Sequence, residues 1–364
     1  MPLIDRWPWK PRPDYTRLLA ALRRQGDSSY VPFLELFADP EVVAAFVGGE
    51  ATHKPEQLLH RPAMEKAIEQ KVHFWHRLGY DAIWQGSSLQ MKYTKFEIGD
   101  TASLPRDRRQ WMSEGQGPIT NWGDFERYPW PTSADVNLDA IEYMARCLPE
   151  GMGIIAQISG GLEPVTWLMG YQTLGLALYD QPDLVEALFE KITEINVPLA
   201  QAMAQMERVI ALWMGDDMGF RSGTLVSPEH LRRYVFPYQK KIAAIAHDQG
   251  MPFLLHSCGN LEAVMEDLIE DVGIDARHSF EDAIQPVERF TERYGKRVAV
   301  IGGVDVDLLA RGNEEQVRRR TRQILEACAP SRAYLLGSGN SIANYVQPQN
   351  FLAMLDEGRR FNKL

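Results

Sequence analysis

Cysteine is scarce in this chain: Cys147, Cys258 and Cys328 are three residues in 364, and no two of them form a Cys-x-x-Cys pair. Such an odd, widely spaced set excludes a disulfide framework and a zinc ribbon, and it points to a reducing compartment. Long apolar runs are also missing. No stretch approaches the roughly 18 to 20 apolar residues a membrane-spanning helix requires, and the opening MPLIDRWPWKPRPDY lacks the apolar centre of a secretory signal. Positive charge is in deficit, with 39 Lys and Arg against 49 Asp and Glu and a formal net charge of −10. That balance leaves no basic stripe for a phosphate backbone. The expectation is a cytoplasmic protein that engages neither nucleic acid nor membrane.

What is present is an ordinary globular composition, 45% hydrophobic and 24% charged, with a rhythm of short apolar runs separated by helical-period segments. The runs are YVPFLEL (30 to 36), YDAIWQG (80 to 86), GIIAQIS (153 to 159), VIALWMGD (209 to 216), PFLLHSC (252 to 258), IDARHSF (274 to 280), VAVIGGV (298 to 304) and AYLLGSG (333 to 339). Eight strands alternating with helices predict an α/β fold, a (β/α)₈ barrel, with residues 1–364 as a single domain. Residues 1–27 read as an N-terminal helical extension. Residues 90–133 are polar, aromatic and rich in turns, and read as an insertion after the second strand, either a surface hairpin or a lid. Helix grammar is clear in places: Ser227 as N-cap with Pro228 behind it and Gly250 at the far end, then NEEQVRRRTRQILEACAP after the seventh run.

Barrel enzymes carry their reacting groups at the C-terminal ends of the strands, where eight loops converge. Read there, the runs end in Glu35, Gln85 and Ser87, Gln157 and Ser159, Asp216 and Asp217, His256 and Cys258, His278 and Glu281, Asp305, and Ser338 and Asn340. Polar groups that recur at one end of an apolar sheet suggest a shared pocket. Residues i and i+2 of a strand face the same way, so His256 and Cys258 can point together into the mouth. Imidazole and thiolate are the donors zinc prefers, and oxygen donors such as Asp216, Asp217, Glu281 or Glu35 would complete the sphere. Cys147 and Cys328 precede strands, at the opposite end, and read as packing residues. The alternative for His256 and Cys258, a strand-end histidine bonded to backbone beside an inert cysteine, stays open. So does a solvated capping role for Asp216 and Asp217.

The ordered motifs YVPFLELF, LMGYQTLGLALYDQPDLVEALFEKITE, SPEHLRRYVFPYQKKI, HSCGN, IGGVD and LLGSGN…PQNFLAML resemble the uroporphyrinogen decarboxylase superfamily, which includes the zinc-dependent methyltransferases of corrinoid systems. The resemblance runs from about residue 28 to 358 and implies a (β/α)₈ barrel. Decarboxylases acting on uroporphyrinogen carry MRQAGR where this chain reads ELFADPEVV, and LGHG where it reads LGSG, with Ser338 in place of histidine. HSCGN is similar to the zinc element of the methyltransferase branch, although Asn340 stands near the place of that branch's further cysteine. The resemblance therefore implies a methyltransferase in which zinc, held by His256, Cys258 and Asp216, acts on a small substrate and a corrinoid carried by another protein. Asp216, Asp217 and Cys258 are its candidate catalytic residues; Glu35, Gln157, Glu281, Ser338 and Asn340 its candidate substrate contacts. A homodimer is implied as well. The rivals are a metal-free decarboxylase with an aspartic acid as proton donor, and a non-catalytic tetrapyrrole or small-molecule binder.

Overall fold

The computed structural model describes residues 2–51, 60–87, 89, 91–100, 102, 104, 108–113, 115–132 and 135–364. Positions 90, 101, 103, 105–107, 114 and 133 of the expected insertion lie outside that set. The strands, in chain order, are β1 (Ala82–Gly86), β2 (Lys95–Gly99), β3 (Arg108–Met112), β4 (Gly153–Ser159), β5 (Val209–Gly215), β6 (Gly219–Phe220), β7 (Gly223–Thr224), β8 (Phe253–His256), β9 (Ala276–His278), β10 (Ala299–Ile301) and β11 (Tyr334–Leu335). Seven of them form one parallel sheet in the order β1-β4-β5-β8-β9-β10-β11. Helices wrap its outside, so the chain is a (β/α)₈ barrel.

Strand parity separates two apolar layers. Ile154, Ala156 and Ile158 of β4 pack outward against helices, while Ile155 joins Ala82, Ala211, Trp213, Leu254, Ala276 and Leu335 in the interior. At the N-terminal end, Leu18, Ala21 and Leu22 of the Tyr15–Leu22 helix enter the same interior cluster. Helix starts follow the sequence grammar. Ser227 accepts from the His230 N–H at 3.2 Å, and Asn313 with Gln316 forms a reciprocal capping box at the head of the Glu314–Cys328 helix.

The expected first strand, 30 to 36, needs correction. It forms a single parallel bridge, Phe33 to Leu336, with Leu34 N–H donating to Leu336 O and Leu336 N–H donating to Pro32 O, both at 2.9 Å. Pro32 has no N–H, and side chains take neighbouring ladder positions: Asn362 pairs with both the N–H and C=O of Val31 at 2.8 Å. Among the described residues no backbone bond joins this stave to β1. Phe33 instead meets the Tyr80 ring at 5.9 Å.

Between β1 and the Asp139–Cys147 helix, β2 and β3 make an antiparallel hairpin that exposes Phe96, Ile98 and Trp111. Asn344, in the loop after β11, ties down its tip region by donating to Asp100 Oδ2 at 2.6 Å and Leu104 O at 3.0 Å. Among the described residues no helix is long and apolar enough to cross a membrane.

Candidate metal centre

His256 sits at the end of β8 with its side chain on the interior face, in register with Gly215 of β5 and His278 of β9. Ladder bonding continues past the strand: Asp216 N–H donates to His256 O at 2.9 Å and Ser257 N–H to His278 O at 2.7 Å. The chain is therefore still extended when it reaches Cys258, whose sulfur lies 3.7 Å from His256 Nε2. Then it turns. Gly259 has φ of +83°, and a Cβ there would stand 2.2 Å from the Gly219 carbonyl carbon. This close approach clamps the loops after β5 and β8 together, with Asn260 N–H donating to Phe220 O at 2.8 Å.

The clamp brings in Asp217. Its Oδ1 accepts from the Cys258 N–H at 2.7 Å and lies 3.4 Å from His256 Nε2. One donor atom from each of Asp217, His256 and Cys258 falls within 4.8 Å of the others. Burial opposes charge on Asp217, but His256 and the Cys258 N–H outweigh it and hold the carboxyl down to about 2. Burial pushes the Cys258 thiol well up, and the neighbouring Asp217 pushes it further. Asn340 Nδ2 at 3.4 Å and Ser279 Oγ at 3.9 Å both donate toward that sulfur.

His278 supports the centre from behind. Its Nδ1 is 2.7 Å from His256 Nδ1, and its Nε2 faces Ser338 O at 3.4 Å. A carbonyl only accepts, so this network assigns the His278 proton to Nε2, makes its Nδ1 the acceptor, and places the His256 proton on Nδ1. His256 Nε2 is then the atom that faces Cys258 and Asp217, where a cation would take the place of the proton shared with Asp217. Burial, with His256 and Arg277 close by, keeps His278 neutral, well below the ordinary imidazole value. A cation presented to this group meets a carboxylate oxygen, an imidazole nitrogen and a sulfur. That donor set suits zinc, and three protein ligands leave a position for another molecule.

Asp216 is not part of this group, against expectation. It is 0% exposed, and its carboxylate faces outward, accepting from Gly161 N–H at 3.0 Å, Glu163 N–H at 2.9 Å and Gln239 Nε2 at 2.8 Å. It anchors the start of the Leu162–Met169 helix. The reason is strand parity: interior positions on β5 run through Ala211 and Trp213, so 216 points to the helices and 217 to the mouth.

Glu35 and Ser338 also depart from expectation as substrate contacts. They are buried against each other, with Ser338 N–H donating to Glu35 Oε1 at 2.8 Å and Ser338 Oγ to Oε2 at 2.6 Å. They fasten the first stave to the strand after which Ser338 comes. Gln157 is half-buried and, with Ser159, Trp167, Tyr93 and Leu89, lines a cavity of about 310 Å³ beneath the insertion. Glu281 is exposed, and partial burial with Asp305 and Asp217 nearby raises its pKa.

Two residues had no assigned role in the sequence. One is His278, although its place at a strand end was visible. The other is Arg277, 3% exposed, whose Nη1 is buried without a hydrogen-bond partner. Burial lowers it to about 10, while Cys258 and Asp217 act in the opposite direction. A lone arginine inside the apolar run IDARHSF was the signal for it.

Comparisons with known proteins agree with this architecture. A methyltransferase structure from Methanosarcina mazei matches with a TM-score of 0.64 over 95% of this chain and 98% of that one, at 18% identity, a likeness of fold. In sequence, the uroporphyrinogen decarboxylase of Anaeromyxobacter dehalogenans is 25% identical over 236 residues, which span 62% of this chain and 63% of that protein. The methylated-thiol–coenzyme M methyltransferase of Methanosarcina mazei is 23% identical over 309 residues, 80% of this chain and 82% of that protein. The family model described as uroporphyrinogen decarboxylase (URO-D) matches residues 59–361. Since that span holds every strand of the parallel sheet and the whole of the Asp217, His256 and Cys258 group, the chain belongs to the uroporphyrinogen decarboxylase family.

Proposed function

We propose that this chain is a zinc-dependent methyltransferase that moves a methyl group between a small substrate and a corrinoid held by a partner protein. The observation that carries the reading is the convergence of Asp217, His256 and Cys258 within 4.8 Å at the barrel mouth. The methyltransferase relative supports the same class. When bound, zinc supplies Lewis acidity toward a heteroatom of the substrate.

The chain's residues do the rest. His278 fixes the tautomer of His256 and so keeps Nε2 available as a ligand. Asn340 and Ser279 donate to the sulfur of Cys258, and Arg277 adds positive potential on the same side. These favour the thiolate, which burial and Asp217 oppose, so metal uptake is coupled to proton release from Cys258. Gln157 orients substrate from the β4 end and Asn340 from the β11 end. The homodimer belongs to this proposal, and sedimentation of the purified protein tests it.

A decarboxylase reading is favoured by one observation, the 25% identity to a uroporphyrinogen decarboxylase. Against it stands the Glu35–Ser338 pair, a buried carboxyl and a hydroxyl bonded to each other, which leaves Arg277 as a single buried arginine near the metal centre among the described residues, where a polycarboxylate calls for several cations.

Metal analysis of protein purified without chelators separates the two. The expected result is about one zinc per chain, lost in Cys258→Ala, His256→Ala and Asp217→Asn, with methyl transfer from methylcobalamin to a thiol lost in parallel. Zinc-free wild-type protein, or zinc retained by all three variants, overturns the proposal.

A further inference from the structure

A cavity of about 440 Å³ lies away from the metal centre, and none of Asp217, His256 and Cys258 lines it. It lies beside the end of β1 and Phe37 and Ala38, which follow the first stave, between the Pro40–Val47 and Arg61–Leu78 helices and the start of the Asp139–Cys147 helix. Its walls are hydrocarbon and aromatic: Val43, Met64, Ala67 and Trp84. This volume falls within the range of small-molecule sites, about 300 to 1,000 Å³.

Among the described residues, one amine enters this apolar space. Lys71 Nζ donates to Trp84 O at 2.5 Å and to Gln85 Oε1 at 3.0 Å, and stands 5.1 Å from the centroid of the Trp84 ring. Both hydrogen-bond partners are neutral acceptors. No carboxylate among the described residues pairs with it, and an ammonium has three N–H groups, so one direction remains unused. Glu50, Arg61 and Asp139 also line the cavity, but each is exposed at its rim, and Arg61 is engaged by Glu65 at 2.9 Å. An ammonium in an apolar chamber without a counter-ion carries an uncompensated desolvation cost. Burial accordingly brings Lys71 down to about 7.

We propose that this chamber is a binding site for a small monocarboxylate with a hydrocarbon body, whose carboxylate pairs with Lys71 Nζ while its chain lies against Met64, Ala67 and Trp84. The carboxylate supplies the third hydrogen bond and the missing charge at once. Because unliganded Lys71 is largely deprotonated above pH 7, binding at pH 8 draws a proton from solution.

Calorimetry with hexanoate, hexanamide and hexan-1-ol tests this on the full chain. Wild type is expected to bind hexanoate at least about tenfold more tightly than the two neutral analogues, a difference of about 1.4 kcal/mol. Titrations at pH 8 in buffers of different ionisation enthalpy should show uptake of close to one proton. Lys71→Met should abolish both the preference and the uptake. Ala67→Trp, which fills the chamber and keeps the amine, should abolish hexanoate binding and serves if the first variant does not fold. Equal affinity for the three probes, or hexanoate binding unchanged in either variant, overturns the proposal. Zinc content reports on the metal centre independently, and these variants should leave it unchanged.

Discussion

Glu35 keeps its proton at pH values where an ordinary glutamate has lost it. Burial raises its pKa from 4.5 to about 8, although bonds from Ser338 and Tyr80 pull the other way. Between those values the folded state holds a proton that the unfolded state has released, so this residue lowers stability as pH rises through the window. Glu35→Gln retains an acceptor for the Ser338 N–H and a donor for its hydroxyl without a charge to bury. Urea unfolding at pH 5 and pH 8.5 should show the variant gaining on wild type at the higher pH, by on the order of 2 kcal/mol; a gain equal at both pH values would contradict this. At the same scale, the shared face of His256 and Cys258 was legible from i, i+2 spacing alone. The choice between Asp216 and Asp217 was legible in principle, since parity from Trp213 reaches 217 rather than 216, but it required knowing that β5 stays extended to its end.

At the scale of elements, Asp216 shows how a carboxylate at a strand end can serve a helix instead of a substrate. Three donors, two of them backbone groups at the start of the Leu162–Met169 helix, converge on it. Asp216→Asn keeps the size but replaces one acceptor oxygen by a donor, leaving a buried N–H facing another. The expected cost is about 2 kcal/mol of stability, with zinc content at the wild-type level; loss of zinc in a folded Asp216→Asn protein would return this residue to the metal centre. Helix ends at Ser227 and Asn313 were readable because capping is a local bargain between neighbours in sequence. The first stave was not, because what curtails its ladder comes from Asn362, 331 residues from Val31.

Over the whole molecule, the barrel wall is unequal. β4 pairs with β5 from Ile154 to Ser159 with one register shift, whereas the first stave holds to Leu336, just past β11, through one bridge and to Tyr80, just before β1, through side chains. Local opening should begin at that seam, next to the Lys71 cavity. Hydrogen exchange is therefore expected to be faster at Leu34 and Leu336 than at Ile155 and Leu212 by roughly 100-fold, and Asn362→Ala should speed exchange at Leu34 further while leaving Leu212 unchanged. Uniform protection around the wall would contradict the unequal barrel.

The sequence by itself determined the barrel, the placement of polar residues at one end of its strands, and the shared face of His256 and Cys258. Each of these follows from periodicity or spacing within a single segment. Only the tertiary structure decided that Asp217 joins them, that His278 orders the imidazole, that Glu35 and Ser338 close a seam, and that Lys71 faces an apolar chamber with no counter-ion among the described residues. Those facts depend on which segments lie side by side and which groups lose contact with water, and chain-distant packing sets both.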